Sequence, residues 1–213
     1  MRIENKKIAS KKSSVAWLQR QAKDPYVARA QKEGYRARAV YKLVEINEKF
    51  KFLHDKQIVV DLGAAPGSWS QYIAREFPHS HVIAMDLLEI KPIPNVEFYK
   101  GDFTTDEALE WLNEKIAGKH VDVVLSDMAP NTTGHQKTDH LRQMTLLEYA
   151  WDFAKQTLKP GGTFVAKSFT GGTTNELLID IKRSFESVHH IKPTASRKDS
   201  VEMFIVGLGF KKL

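Results

Sequence analysis

The sequence predicts an α/β protein built on a doubly wound, mostly parallel sheet of seven strands, the C-terminal strand antiparallel. Three observations carry that prediction. After Lys56, short β-branched apolar runs alternate with amphipathic segments. The first such run ends in a glycine-rich turn, Gly63-Ala64-Ala65-Pro66-Gly67, that opens a helical pattern. The last two apolar runs have no helical segment between them, so they read as a terminal hairpin on an otherwise parallel sheet.

The elements follow in chain order. Residues 1–13 read as a flexible segment, followed by helices over Trp17–Ala30 and Ala37–Phe50. The second is indicated by Val40, Leu43, Val44 and Ile46 at helical spacing. Strands are expected over Gln57–Leu62, His81–Asp86, Val96–Tyr99, Val121–Ser126 and Thr163–Ser168. Helices are expected over Trp69–Phe77, Asp106–Ile116, Leu141–Leu158 and Asn175–Phe185. Ser187–Ile191 and Val201–Leu208 form the closing pair of strands.

Composition sets the frame. With 213 residues, 42% hydrophobic and 27% charged, the whole chain is expected to form a single soluble domain with a real core. No apolar run approaches the ~20 residues of a membrane-spanning helix. No signal-peptide pattern opens the sequence, and there is no cysteine. Disulfides, zinc–thiolate sites and thiol catalysis are thereby excluded, and a cytoplasmic monomer is expected. The net charge of +6 is unevenly spread. Residues 1–42 hold twelve Lys/Arg against three acids, so the rest of the chain is slightly acidic. A basic arm, taken as residues 1–36, points to a polyanion held through phosphate contacts; a solubilising tail is the plainer alternative.

In such a sheet, ligands bind beyond the carboxyl ends of the strands near the point where strand order reverses. Gly63 and Gly67 are separated by three residues, one of them Pro66, which is not the G-x-G-x-x-G spacing of a dinucleotide site. A cofactor without pyrophosphate, with an amino-acid end and a ribose, suits this loop, and S-adenosylmethionine is one. Asp86 and Asp102 end the second and third strands. A carboxylate after the second strand suits ribose hydroxyls, although Asp at a strand end also serves as a turn former.

The fourth strand ends at Asp127, and Lys167 sits inside the apolar fifth. Glu202 is a charge within the last strand, and Lys42 lies on the helix before the sheet. Asp127, Lys167 and Glu202 would meet above the sheet if the last strand runs antiparallel. A ribose 2′-hydroxyl must lose its proton as a methyl group arrives. Lysine, ordinarily near about 10.4, becomes a base when burial or a second ammonium lowers it. Lys167 is the candidate base, and Lys42 the second cation. Asp127 and Glu202 would hold both amines. No metal is required, and the paired histidines His79/His81 and His189/His190 are expected on surface turns.

Several ordered segments carry a resemblance. DLGAAPGSWSQY, AMDLL, GDF, LSDMAPN, LKPGGTFVAKSF and SRKDSVEMFIV resemble the FtsJ/RrmJ (RlmE) family of ribosomal RNA large subunit 2′-O-methyltransferases, from about Ser13 onward. The resemblance implies a Rossmann-like S-adenosylmethionine-dependent methyltransferase fold. It places a Lys-Asp-Lys-Glu tetrad on Lys42, Asp127, Lys167 and Glu202, with Lys167 the proton acceptor. It places cofactor contacts on Gly67, Trp69, Asp86, Asp102 and Asp127. The implied acceptor is a uridine ribose in 23S ribosomal RNA of the large subunit, with no metal and no membrane. Ser68 stands where many members have a second glycine, and residues 169–175 also depart from the family's sequence. Rival readings are a 2′-O-methyltransferase of transfer RNA or the messenger cap, and a non-catalytic RNA-binding protein on the same fold.

Overall fold

The computed structural model describes residues 24–131, 133–169, 175–197 and 200–212. The segment 1–13 expected to be flexible, the start of the helix expected from Trp17 and most of the 169–175 stretch lie outside them.

Two helices precede the sheet. Helix α1 (Pro25–Lys32) starts inside the helix expected over Trp17–Ala30, at a local start signal: Asp24 accepts a hydrogen bond from Tyr26 N, and Pro25 occupies the first helical position. Helix α2 (Val40–Phe50) begins three residues later than its periodicity suggested, because Ala37–Ala39 form a tight turn whose carbonyls accept from Val40, Tyr41 and Lys42. It ends on Lys51 in the left-handed conformation.

The sheet comprises β1 (Ile58–Leu62), β2 (His81–Asp86), β3 (Val96–Lys100), β4 (Val121–Ser126), β5 (Leu158–Phe169), β6 (Phe185–Ile191) and β7 (Glu202–Phe210). Their spatial order is β3-β2-β1-β4-β5-β7-β6. Strands β1 to β5 are parallel, and β7 runs antiparallel between β5 and β6. The order reverses between β1 and β4, which fixes the ligand crevice at the carboxyl ends of those strands. His81 opens β2 and pairs with Glu97, while His189 and His190 lie within β6, so only His79 sits on a turn. The expectation of surface turns fails for these three because alternating polar residues are ordinary on half-exposed strands.

Helices α3 (Ser68–Glu76), α4 (Asp106–Ile116), α5 (Gln136–Thr157) and α6 (Asn175–Ser184) complete the fold. Strand alternation sends side chains to two cores. Val59, Val82, Leu125 and Val165 pack with Leu43 and Ile46 of α2 and Trp69 and Ile73 of α3. Val60, Leu62, Ile83 and Phe164 pack with Leu112 of α4, Trp151 of α5 and Ile181 of α6. Each such fully buried aliphatic side chain stabilises the fold by about 1.5–3 kcal/mol.

Two elements start five residues before the sequence pattern does. Helix α5 starts five residues before Leu141, in the polar stretch Gln136–His140, which has no apolar period to read. There Asp139 accepts from Thr133 N, Thr133 Oγ1 and Gly134 N, tying the incoming loop to the first turn. Strand β5 extends back to Leu158 because Pro160–Gly162 form a bulge: Leu158 pairs with Val121 and Thr163 with Val123.

Candidate active site

The glycine turn leaves β1 with Gly63 N and Ala64 N both donating to Met85 O of β2. Gly63 has φ +76°, and a Cβ there would lie 2.7 Å from Met128 N. Only glycine allows this loop to pass so close to the end of β4. Gly67, with φ +96°, caps the start of α3. Asp86 Oδ2 accepts from Ala65 N at 2.9 Å and its Oδ1 from Leu88 N at 2.8 Å. The acid at the end of β2 therefore braces the cofactor loop as well as facing the crevice.

Above these strand ends lies a cavity of about 320 Å³. Asp86, Asp102 and Asp127 line it together with Gly63, Ala65 and Asn131. Leu87 and Leu88, 61% and 67% exposed, form part of an apolar wall with Met85 and Phe103. Among the described residues no lysine or arginine lines it. Asp86 and Asp102, in no ion pair among the described residues, suit a positively charged ligand and oppose a pyrophosphate, while Asp127 is also paired with Lys167. The residues thus fit a sulfonium cofactor with a ribose and an adenine ring. Gly67 and Trp69 do not line this cavity. The Trp69 side chain is 2% exposed, and its Nε1 donates to Ala39 O at 2.8 Å. It packs against Phe204 with ring centroids 5.8 Å apart.

Asp127 is shared by the cavity and by a charged square beside it. Lys167 Nζ lies 2.7 Å from Asp127 Oδ1 and donates to the Asp127 carbonyl at 2.9 Å. Lys42 Nζ donates to Glu202 Oε2 at 2.9 Å. The diagonal contacts, Lys42 to Asp127 Oδ1 and Lys167 to Glu202 Oε2, are both 3.7 Å. All four predicted residues therefore meet. Helix α2 supplies Lys42, β4 ends just before Asp127, and β5 carries Lys167. Antiparallel pairing of Phe169 with Glu202 brings the start of β7 back to the same edge.

The electrostatics differ from the expectation of a lowered Lys167. Burial pushes the Lys167 ammonium down, but the carboxylates of Asp127 and Glu202 outweigh it and hold it above its ordinary value. Burial likewise pushes Asp127 up, and Lys167 and Lys42 overcome it, so Asp127 is held below its usual range. Two cations and two anions here neutralise one another, which limits the cost of burying them.

Sequence reasoning assigned no role to four neighbours. Asp61 is fully buried below the loop; Ser70 Oγ donates to its Oδ2 at 2.5 Å, while Oδ1 has no hydrogen-bond partner among the described residues. Burial pushes Asp61 up to about 7 against the Ser70 hydrogen bond, with Asp127 and Asp86 adding repulsion. Gln143 of α5 donates to Met128 O and Lys167 O, bracketing β4 to β5. Arg36 donates to Pro66 O, Lys91 O and Pro92 O. Ser196 donates to Glu202 Oε1 at 2.7 Å. Asp61 stood inside the recognised motif and Arg36 inside the basic arm. Gln143 had no sequence signal, because its partners are distant in the chain, whereas Ser196 opens the SRKDSVEMFIV segment, six residues before Glu202.

The reversed strand order and the acid-lined crevice define a Rossmann-like methyltransferase. The chain matches the FtsJ-like methyltransferase family over residues 35–210 and belongs to that family. Relatives called ribosomal RNA large subunit methyltransferase E are similar along nearly the whole chain. That of Novosphingobium aromaticivorans is 52% identical, covering 98% of this chain and 94% of its own. That of Rhizorhabdus wittichii is 50% identical, covering 93% and 86%. Among solved structures, a ribosomal RNA methyltransferase of Plasmodium falciparum superposes with a TM-score of 0.74 at 34% identity, covering 83% of this chain and 98% of its own.

Proposed function

We propose that this chain uses S-adenosylmethionine to methylate the 2′-hydroxyl of a uridine in 23S ribosomal RNA of the large subunit, with Lys167 accepting the proton. The observation that carries the reading is the position of Asp127, which belongs at once to the acid-lined cavity and to the lysine square. Donor and acceptor would meet there. RNA as the acceptor is supported by the family, by the relatives' names and by the basic arm.

Asp86 and Asp102 would hold the ribose and adenine of the cofactor, and Asp127 would face its cationic end. Bound there, S-adenosylmethionine supplies a methyl group already activated on a sulfonium, so in-line placement does much of the work. The Asp127 carboxylate is part of what keeps Lys167 protonated. A cation held in the cavity would draw on the same carboxylate and repel the Lys167 ammonium, which would make Lys167 easier to deprotonate. The neutral amine would then take the proton of the 2′-hydroxyl as the oxygen–methyl bond forms and the sulfur–methyl bond breaks, with that bond's electron pair staying on sulfur. Lys42, paired with Glu202, would favour the developing alkoxide.

Lys167→Ala is expected to bind S-adenosylmethionine with unchanged affinity and to lose methyl transfer by at least ~10²-fold. Calorimetry and single-turnover assays on unmethylated large subunits measure both, and near-normal turnover would sink the base assignment. Mapping of 2′-O-methyl groups on ribosomal RNA with and without the protein identifies the nucleotide.

A further inference from the structure

The loop between β6 and β7 is buried more deeply than a hairpin connection requires. Ala195 is fully buried and Ser196 only 6% exposed. Ala195 plugs the small core of Ala30, Val40 and Tyr41, and the Arg38 guanidinium donates to its carbonyl. Glu45 stands one turn beyond Lys42 on α2, on the same face. Its carboxylate accepts from Thr194 N at 2.5 Å, Thr194 Oγ1 at 2.8 Å and Ala195 N at 3.0 Å. The next residue, Ser196, donates its hydroxyl to Glu202 Oε1 at 2.7 Å. The other oxygen of Glu202 faces both lysines, 2.9 Å from Lys42 and 3.7 Å from Lys167.

We propose that Ser196, held in place by Glu45, is a positioning residue that aims Glu202 at the two lysines. The inference rests on the reading of Lys42, Asp127, Lys167 and Glu202 as the methyl-transfer site. Its physical basis is the freedom of a carboxylate. The terminal torsion of glutamate is broad and roughly two-fold, so either oxygen can face a cation and the plane can swing. A donor on Oε1 removes that freedom and leaves Oε2 for the ammonium groups. Helix α2 thereby sets two corners of the square: Lys42 directly, and Glu202 through Glu45, the 194–196 backbone and the Ser196 hydroxyl. Ser196 does not line the cofactor cavity, so its effect belongs to the chemical step.

The test uses the full chain, unmethylated large subunits as acceptor and S-adenosylmethionine as binding probe. Ser196→Ala is expected to lower kcat about ten-fold with cofactor Kd unchanged, the scale of one hydrogen bond to a charged group. Ser196→Thr, which keeps the hydroxyl, is expected to retain most of kcat. Glu45→Ala is expected to lower kcat similarly, and the double variant no further than the worse single one, because both break one relay. A purely structural role for either residue gives losses that multiply instead. If Glu45→Ala does not fold, Glu45→Gln, with one acceptor oxygen kept, takes its place in the cycle. Wild-type kcat in Ser196→Ala, or multiplying losses, overturns the inference. Lys167→Ala run alongside separates the two ideas: its failure to reduce transfer defeats the underlying site reading, whatever Ser196 does.

Discussion

Lys167 is buried in a central strand, yet it is held protonated by the carboxylates of Asp127 and Glu202. A base in that condition works only on its small neutral fraction. Single-turnover transfer should therefore climb with pH, roughly ten-fold per unit while the solution stays below the lysine's own value. A rate that is flat between pH 7 and 9 would remove Lys167 from the proton step. Asp61 makes the opposite contribution. Its folded value of about 7 lies above the ordinary carboxylate value of 3.8. Between the two, the folded chain holds a proton that the unfolded chain has lost, so stability falls as pH rises, by at most about 1.4 kcal/mol per unit. That loss is absent below the unfolded value and complete above 7. Asp61→Asn, which cannot ionise, should melt higher than the wild type at pH 8, with the advantage shrinking toward pH 4. Thermal unfolding of the cofactor-free protein across that range checks the sign.

The cofactor loop is fixed by neighbours distant in sequence. Its glycines make the close turn possible, but Arg36 holds it by donating to Pro66 O on the loop and to Lys91 O and Pro92 O beyond β2. Gln71 of α3 adds two bonds to the same strap, accepting from Arg36 N and donating to Gly34 O. Arg36→Met should keep the fold and loosen the loop, raising cofactor Kd about ten-fold while kcat at saturation changes little. Equal affinity in the two proteins would show the loop to be self-supporting. The elements themselves were largely legible, because β-branched runs and apolar periods report burial directly. The polar first turn of α5 and the bulge in β5 were not, since one rests on Asp139 and the other on pairing with β4.

At the scale of the whole molecule, charge is divided between an arm and a body. Residues 1–23 hold seven Lys/Arg against one acid. The helix that follows, α1, is integral: Ala30 is 2% exposed in a core shared with Tyr41 and Ala195. Removing residues 1–23 should therefore leave folding and cofactor binding intact. It should weaken RNA binding and reduce its salt dependence by several counterions' worth. An unchanged slope would reassign the polyanion contacts to the body. Among the described residues no helix is long and apolar enough to cross a membrane. No group of His, Asp and Glu among them is arranged to hold a metal.

The sequence by itself determined the strand and helix alternation, the glycine turn and the four residues that meet at the site. Those features are local patterns or chemically distinctive residues, and burial or backbone geometry imposes them position by position. Tertiary structure alone decided how the four residues are charged and held. Lys167 is raised rather than lowered because two carboxylates, from β4 and β7, reach it at once. Glu202 is aimed by a serine whose own place is set by a glutamate about 150 residues earlier. Such effects depend on distances between segments remote in the chain, and folding is what sets those distances.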